Sequence, residues 1–150
     1  MKRVERILVP LDHSAGSDDI VQYACAVARG LTASITLVHI YEPPNAMVAI
    51  VAGATRGGEA DAERAAGVAL LDRAAAILQA NGFTTSERIL ERFPRASDAI
   101  VRHVQSGKFD LIVMGTHARR GVSRVVLGSV AEDVVRSVRC PVMMVHLPQD

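Results

Sequence analysis

The alternation of short apolar runs with longer segments of helical periodicity constrains the fold of this chain more than any other feature. Five runs have the length and composition of buried strands, and between them apolar residues recur every three or four positions. The predicted strands are Arg6–Leu11, Ser34–Tyr41, Thr84–Leu90, Asp110–Met114 and Pro141–His146. The order βαβαβαβαβ predicts a three-layer α/β/α fold in which a five-stranded parallel sheet is joined by right-handed crossovers.

Four helices and one long connection are predicted between these strands. The connection from Glu42 to Gly58 has no clear period and contains the apolar patch Ala46–Ala54. A connection of this length is usually functional, and the sequence leaves open whether the patch is a lid, a dimer contact or a partner site. The helices are expected from Ile20 to about Gly30, from Glu59 to Ala80, from Pro94 to Gly107 and from Leu127 to Val138.

Composition indicates a single globular domain over residues 1–150 and argues against several classes of partner. Apolar residues make up 49% of the chain and aromatic residues only 3%, so the core must be aliphatic. A net charge of +1 gives no general attraction to nucleic acid or to an anionic membrane. The apolar runs are too short for a signal-peptide core or a membrane span, which favours a cytoplasmic protein. Cys25 and Cys140 do not make a disulfide framework and are expected to be buried thiols.

The segment GTHARRGVSRVVLGS, which follows the fourth predicted strand, carries the strongest functional signal. It contains three glycines and three arginines, Gly115, Gly121, Gly128, Arg119, Arg120 and Arg124. Glycine lets the backbone approach a ligand closely, and the first amides of the following helix have no acceptor within that helix. Free amides and cations together suit a polyphosphate, so we expect a nucleotide-binding loop.

Asp12, in the polar turn after the first strand, supplies the second part of the predicted site. In a sheet of this kind, ligands bind beyond the carboxyl ends of the strands at the point where the strand order reverses. The turn that contains Asp12 and the glycine-rich loop both leave that edge. A carboxylate can accept hydrogen bonds from ribose hydroxyls while the loop binds phosphates, and adenine can lie against the apolar strand ends.

The spacing of these motifs resembles that of the universal stress protein family. Nucleotide-binding members carry Gly, two residues, Gly, nine residues, and then Gly followed by Ser or Thr. Here Gly115, Ala118 and Gly128-Ser129 occupy those positions, so alanine stands where the second glycine belongs. The runs ILVPLDHS, VHI and CPVMMV are similar to the family's first, second and last strands. The resemblance implies a Rossmann-like fold of the adenine-nucleotide α-hydrolase-like group and a nucleotide-sensing stress-response regulator that binds ATP, ADP or AMP.

Carried over by position, the resemblance implies a site built from three segments. Asp12 would bind ribose and is a weak candidate for Mg²⁺, whereas Pro10, Leu11, Ile40 and Met114 would line the adenine site. The phosphate loop would comprise Gly115, His117, Ala118, Arg119, Gly128, Ser129 and the Val130 amide, with His117 either capping the loop or contacting a phosphate. A left-handed backbone at Ala118 would cost about 1 kcal/mol. Some binding members also offer a hydroxyl at the position of Ala131.

Simpler interpretations of the same residues stay open. The glycines could serve only a tight turn, Ser129 could be an ordinary helix N-cap, and Asp12 could accept hydrogen bonds from its own turn. The three arginines could be solvated surface cations. His39 and His146 lie in or beside strands, where a structural role is more common than a ligand role.

The sequence favours a binding protein over an enzyme. It lacks the Gly-x-Ser-x-Gly nucleophile motif and the Walker lysine. The alternatives are a family member that has lost nucleotide binding and acts as a dimerising interaction module, a slow ATPase, and a flavin or redox domain. The last strand is apolar on both faces, and the resemblance implies that it pairs with its copy in a homodimer through Val142, Met143, Met144 and Val145.

Overall fold

Strands and helices alternate through the computed structural model, which describes residues 3–43, 47, 58–83, 87–107, 109–116 and 127–147. The strands are β1 (Arg6–Pro10), β2 (Ser34–Tyr41), β3 (Glu87–Arg92), β4 (Leu111–Thr116) and β5 (Val142–His146). The helices are α1 (Ser17–Leu31), α2 (Gly58–Ala80), α3 (Ala96–Gly107) and α4 (Ser129–Ser137). The alternation predicted from the apolar periodicity is therefore present in these ranges.

The strands form one parallel sheet in the order β3-β2-β1-β4-β5. Pairing between β1 and β2 runs from Arg6↔Ser34 to Pro10↔Val38, and β1 pairs on its other side with β4 at Ile7↔Leu111. This order confirms the predicted α/β fold and places β5 at an edge of the sheet. The chain moves outward from β1 in one direction and from β4 in the other, so the strand order reverses between these two central strands.

Two aliphatic cores lie on opposite faces of the sheet because side chains alternate along a strand. Ile7 and Val9 of β1 enter the core beneath α1 and α2, whereas Leu8 enters the core beneath α3 and α4. All three side chains are fully buried. No helix within the described ranges is long and apolar enough to cross a membrane.

The ends of several elements differ from the predicted ones. The prediction that Gly30 ends the first helix is wrong, because α1 continues to Leu31 and the residue in left-handed conformation is Thr32, with a φ of 57°. The Thr32 amide donates to the carbonyl of Ala28 and closes the last turn. Thr32 is β-branched and such residues seldom have a positive φ, so no local sequence pattern indicated that the helix would end there.

Long-range pairing sets the ends of the strands. β4 extends past Met114 to Thr116 because β5 continues to pair beside it, with Thr116 opposite His146. β3 extends to Arg92, opposite Tyr41 of β2, while residues 84–86 of its predicted start lie outside the described residues. The third helix begins at residue 96, not at the proline two positions earlier.

The two cysteines differ in burial, and neither forms a disulfide. Cys25 lies in α1 and is buried as predicted, and this burial raises the pKa of its thiol above the ordinary value of 9.0. Cys140 is only half-buried, because it lies in the connection between α4 and β5 instead of inside an element. The prediction of a buried thiol is therefore correct for one cysteine and too strong for the other.

Candidate functional site

A cavity of about 500 Å³ lies at the carboxyl edge of the sheet, beside the ends of β1 and β4. Its volume falls within the range of roughly 300–1,000 Å³ that is typical of small-molecule sites. The lining comprises Pro10, Leu11, Asp12, Ile20, Val38, Ile40, Ala96, Ile100, Met114, Gly115, Leu127, Gly128, Ser129, Val130, Ala131 and Glu132. The cavity thus occupies the point of strand reversal, where sheets of this kind bind ligands.

Every predicted site residue that the structure describes lines this one cavity. They are Pro10, Leu11, Asp12, Ile40, Met114, Gly115, Gly128, Ser129 and Val130. His117, Ala118 and Arg119 lie outside the described residues, as do Arg120, Gly121, Arg124 and the Ala46–Ala54 patch apart from the exposed Met47. Three segments that are distant in sequence therefore meet as predicted, while their role in binding stays a prediction.

The turn after β1 is held by its own hydrogen bonds. Leu11 donates its amide to the carbonyl of Val38 at 2.8 Å, which extends the pairing with β2 by one residue. Asp12 accepts the Ser14 amide on its Oδ1 atom at 3.0 Å, and its carbonyl accepts the Ser17 hydroxyl at 2.6 Å. The alternative that Asp12 caps its own turn is therefore correct for one oxygen. A carboxylate has about four acceptor positions, so this role is compatible with binding a ribose hydroxyl.

Gly115 is closely packed as well as part of the cavity wall. A Cβ atom at this residue would lie 2.6 Å from the Cδ1 atom of Ile20 and 3.3 Å from that of Leu147. Gly16, in the first turn, is crowded by the same leucine, whose Cδ1 atom would lie 2.2 Å from an added Cβ atom. Leu147, directly after β5, therefore packs against both the turn after β1 and the end of β4.

The N-terminus of α4 faces the cavity through its first turn. Gly128 is the N-cap, with a φ of 71° and a ψ of 150°, and Ser129 is the first helical residue. The alternative that Ser129 is an ordinary N-cap is wrong, because Gly128 holds that position with a positive φ that favours glycine. The amide of Glu132 makes the first helical bond, to the carbonyl of Gly128 at 3.0 Å. The preceding amides have no acceptor within the helix and carry the positive end of its dipole.

An apolar wall completes the cavity, and parts of it were not predicted. Val38 and Ile40 project from β2 to the same face of the sheet, and Ile100 and Ala96 come from the first turns of α3. The period of two in β2 and the spacing of four in α3 indicate that Val38 and Ile100 are core residues. That they line the same cavity depends on a contact between elements distant in sequence, which these local patterns do not predict. Glu42 accepts the Ala96 amide at 3.1 Å and so caps α3 at the border of the cavity.

The described lining offers amides, a hydroxyl and carboxylates, but no Lys or Arg. Its titratable side chains are Asp12 and Glu132, and Glu132 accepts a hydrogen bond from Arg136 one turn later at 2.6 Å. The arginines that were predicted to contact phosphates fall within residues 117–126, outside the described ranges. Within those ranges no group of three or more metal-ligating side chains converges.

Comparison with known proteins finds relatives over nearly the whole chain. Universal stress protein MJ0531 of Methanocaldococcus jannaschii is 28% identical over 145 residues, which are 97% of this chain and 84% of the relative. A solved structure from the universal stress protein family of Burkholderia pseudomallei is 27% identical, with a TM-score of 0.76 over 97% of this chain and 98% of the other. A universal stress protein in complex with cAMP is 25% identical, with a TM-score of 0.66 over the same shares. Since the model of the universal stress protein family matches residues 3–146, the chain belongs to that family.

Proposed function

We propose that this protein binds an adenine nucleotide in the cavity at the carboxyl edge of the sheet and acts as a nucleotide-sensing regulator of a stress response. One observation carries the proposal: a single cavity joins the Asp12 turn, an apolar wall and the N-terminus of α4. An apolar wall suits a base, a carboxylate suits ribose hydroxyls, and free helix amides suit phosphates. A related protein, 25% identical, was solved in complex with cAMP, which contains the same base and sugar.

The proposed binding mode assigns one part of the ligand to each part of the cavity. The adenine lies against Val38, Ile40 and Met114, and the ribose hydroxyls donate to Asp12. The phosphates accept hydrogen bonds from the Ser129 hydroxyl and from the Val130 amide, while Gly128 allows a close approach. With ATP, Mg²⁺ would be held by phosphate oxygens and at most one or two carboxylates, which is the usual mode for this ion.

Regulation is favoured over catalysis by the chemistry of the described lining. Glu132 is paired with Arg136, and the first oxygen of Asp12 is engaged in its own turn. Because both carboxylates already accept hydrogen bonds, we propose a binding protein with slow or negligible hydrolysis, and we place it in the cytoplasm. Ala118, in place of the family's second glycine, favours one other function: a dimerising interaction module that has lost nucleotide binding.

Calorimetric titration of nucleotide-stripped protein with Mg·ATP, ADP and AMP tests the proposal. Gly128→Ala is the site variant, and Gly82→Ala is its matched control, because Gly82 also has a positive φ but lies in the turn after α2. We expect saturable binding by the wild type and by Gly82→Ala, and a loss of about tenfold or more in affinity for Gly128→Ala. Absence of saturable heat in the wild type would favour the interaction module. Sustained phosphate release above the Gly128→Ala level would favour an ATPase.

A homodimer that pairs its two β5 strands is part of the same proposal. Residues Val142–Val145 carry no charge, and the strand lies at an open edge of the sheet. An uncharged edge strand commonly pairs with another chain.

A further inference from the structure

His39 contacts the residues on both sides of Asp12. The side chain lies in β2 with only 4% of its surface exposed, and its Nδ1 atom is 2.8 Å from the carbonyl oxygen of Leu11. Its ring also packs edge-on against the ring of His13, with 4.8 Å between centroids and an angle of 70° between planes. Leu11 and His13 are the neighbours of Asp12 in the chain. The buried ring of His39 therefore restrains the backbone of Leu11 and the side chain of His13.

The hydrogen bond to Leu11 fixes the tautomer of this ring. A carbonyl oxygen only accepts hydrogen bonds, so the Nδ1 atom of His39 must carry the proton and donate it. The Nε2 atom is buried without a hydrogen-bond partner among the described residues. Within those residues, the Leu11 carbonyl is thus the polar group to which the ring is bound.

Helix α2 holds the ring in one orientation. A Cβ atom on Gly67 would lie 2.8 Å from the Cδ2 atom of His39 and 2.6 Å from the Cδ1 atom of Leu90. The ring therefore occupies space that any side chain at position 67 would need. The ring packs against α2 and His13, so it has little freedom to change rotamer. It can therefore hold the turn after β1 at a fixed position relative to β2.

We infer that His39 is a positioning residue, which holds the Asp12 carboxylate in place through the Leu11 carbonyl and the His13 ring. The consequence for ligand affinity rests on the proposed nucleotide function, whereas the effect on the turn does not. His39 does not line the cavity, and it acts through Leu11, which does, and through His13, which lies next to Asp12 in the chain. Asn at this position keeps an N–H near the place of Nδ1, whereas Leu keeps the bulk and removes the donor.

Amide hydrogen exchange of the ligand-free protein tests the inference directly. We expect His39→Leu to lower the protection of the Leu11 and Ser17 amides about tenfold relative to Leu8, and His39→Asn to preserve it. Ile35→Ala, on the same face of β2 but at its other end, controls for general destabilisation and should lower protection without singling out the turn. If His39→Leu does not fold, His39→Met replaces it, because methionine also keeps the bulk and lacks an N–H donor. An unchanged ratio between turn and β1 amides in these variants would overturn the inference.

Titration with AMP then separates this inference from the proposed function. If the wild type binds AMP, His39→Leu and Asp12→Asn should each weaken binding, and the double variant should be no weaker than Asp12→Asn alone, because both changes remove the same contact. Additive losses would show that His39 does not act through Asp12. If the wild type binds none of ATP, ADP and AMP, the proposed function fails, and the exchange ratio alone decides whether His39 holds the turn.

Discussion

Gly128 and Gly82 show how a single residue contributes to stability where the backbone has a positive φ. Their φ angles are 71° and 89°. An alanine at either position would be strained, so each substitution should lower the free energy of unfolding by about 1–3 kcal/mol. Urea denaturation measures this loss. At Gly82 nothing lies within 4 Å of an added Cβ atom, so steric crowding does not contribute to the loss there. A variant at either position that is as stable as the wild type would contradict the conformation described for it.

Cys25 should be chemically inert in the folded protein. It is 1% exposed, and burial raises the pKa of its thiol, although Arg29 partly opposes the shift. In a Cys140→Ala background, we expect Cys25 to react with a thiol reagent at pH 8 only after urea is added, since the thiolate is the reactive form. Cys25→Ala, which leaves the half-buried Cys140, is the comparison. Equal native rates for the two variants would contradict the prediction.

The same pKa shift predicts how stability changes in alkali. Because the folded state holds the Cys25 proton more tightly, the unfolded chain loses its proton first, near pH 9.0. The unfolded state then binds fewer protons than the native state, so this thiol lowers the free energy of unfolding as the pH rises above that value. Cys25→Ala should remove this part of the alkaline loss. Urea midpoints at pH 7 and pH 10 would measure the difference.

At the scale of the helix, two glycines make opposite predictions. An added Cβ atom at Gly67 of α2 meets Leu90 at 2.6 Å and His39 at 2.8 Å, whereas at Gly30 of α1 it meets nothing within 4 Å. We expect Gly67→Ala to lower the free energy of unfolding by about 1–3 kcal/mol through overpacking. Gly30→Ala should raise it by up to about 1 kcal/mol, because alanine favours the helix. Urea midpoints that shift in the same direction would refute the packing described at α2.

The elements themselves could be predicted from the sequence because each has its own apolar period. The eight residues of β2 and the amphipathic spacing of α4 are local signals. The ends of these elements depend on contacts between residues that are distant in sequence. β4 reaches Thr116 because β5 pairs beside it, and Gly115 fits there because Ile20 of α1 packs against it. Contacts between residues so far apart in the chain leave no trace in the local pattern, so they could not be predicted from it.

At the scale of the whole molecule, the place of the site was predictable while its walls were not. The rule that ligands bind where strand order reverses brings Asp12 and Gly128 together without any knowledge of side-chain contacts. The apolar wall from Ile100 depends on how α3 packs on the sheet. The packing of His39 against α2 and the turn after β1 likewise depends on the assembled core. These features are properties of tertiary packing, which a single sequence does not specify position by position.

The two edges of the sheet differ in a way that predicts how copies of the chain associate. β3 carries four charged side chains, Glu87, Arg88, Glu91 and Arg92, whereas β5 is uncharged from Val142 to Val145. Charges on an edge strand discourage pairing with another chain, so β5 is the edge that we expect to pair. Ile89 and Met144 are a matched pair for a test, because each is half-buried against the same core.

Sedimentation velocity over a range of concentrations provides that test. We expect the wild type to be a dimer, Met144→Lys to sediment as a folded monomer, and Ile89→Lys to remain a dimer, because lysine then lies on the edge that does not pair. Circular dichroism establishes that each variant is folded before it is compared. A wild type that stays monomeric at about 100 μM, well above the micromolar range of moderate affinity, would rule out the homodimer. If Ile89→Lys dissociates the dimer and Met144→Lys does not, the prediction is wrong. The interface would then lie at β3, although that strand already bears charge.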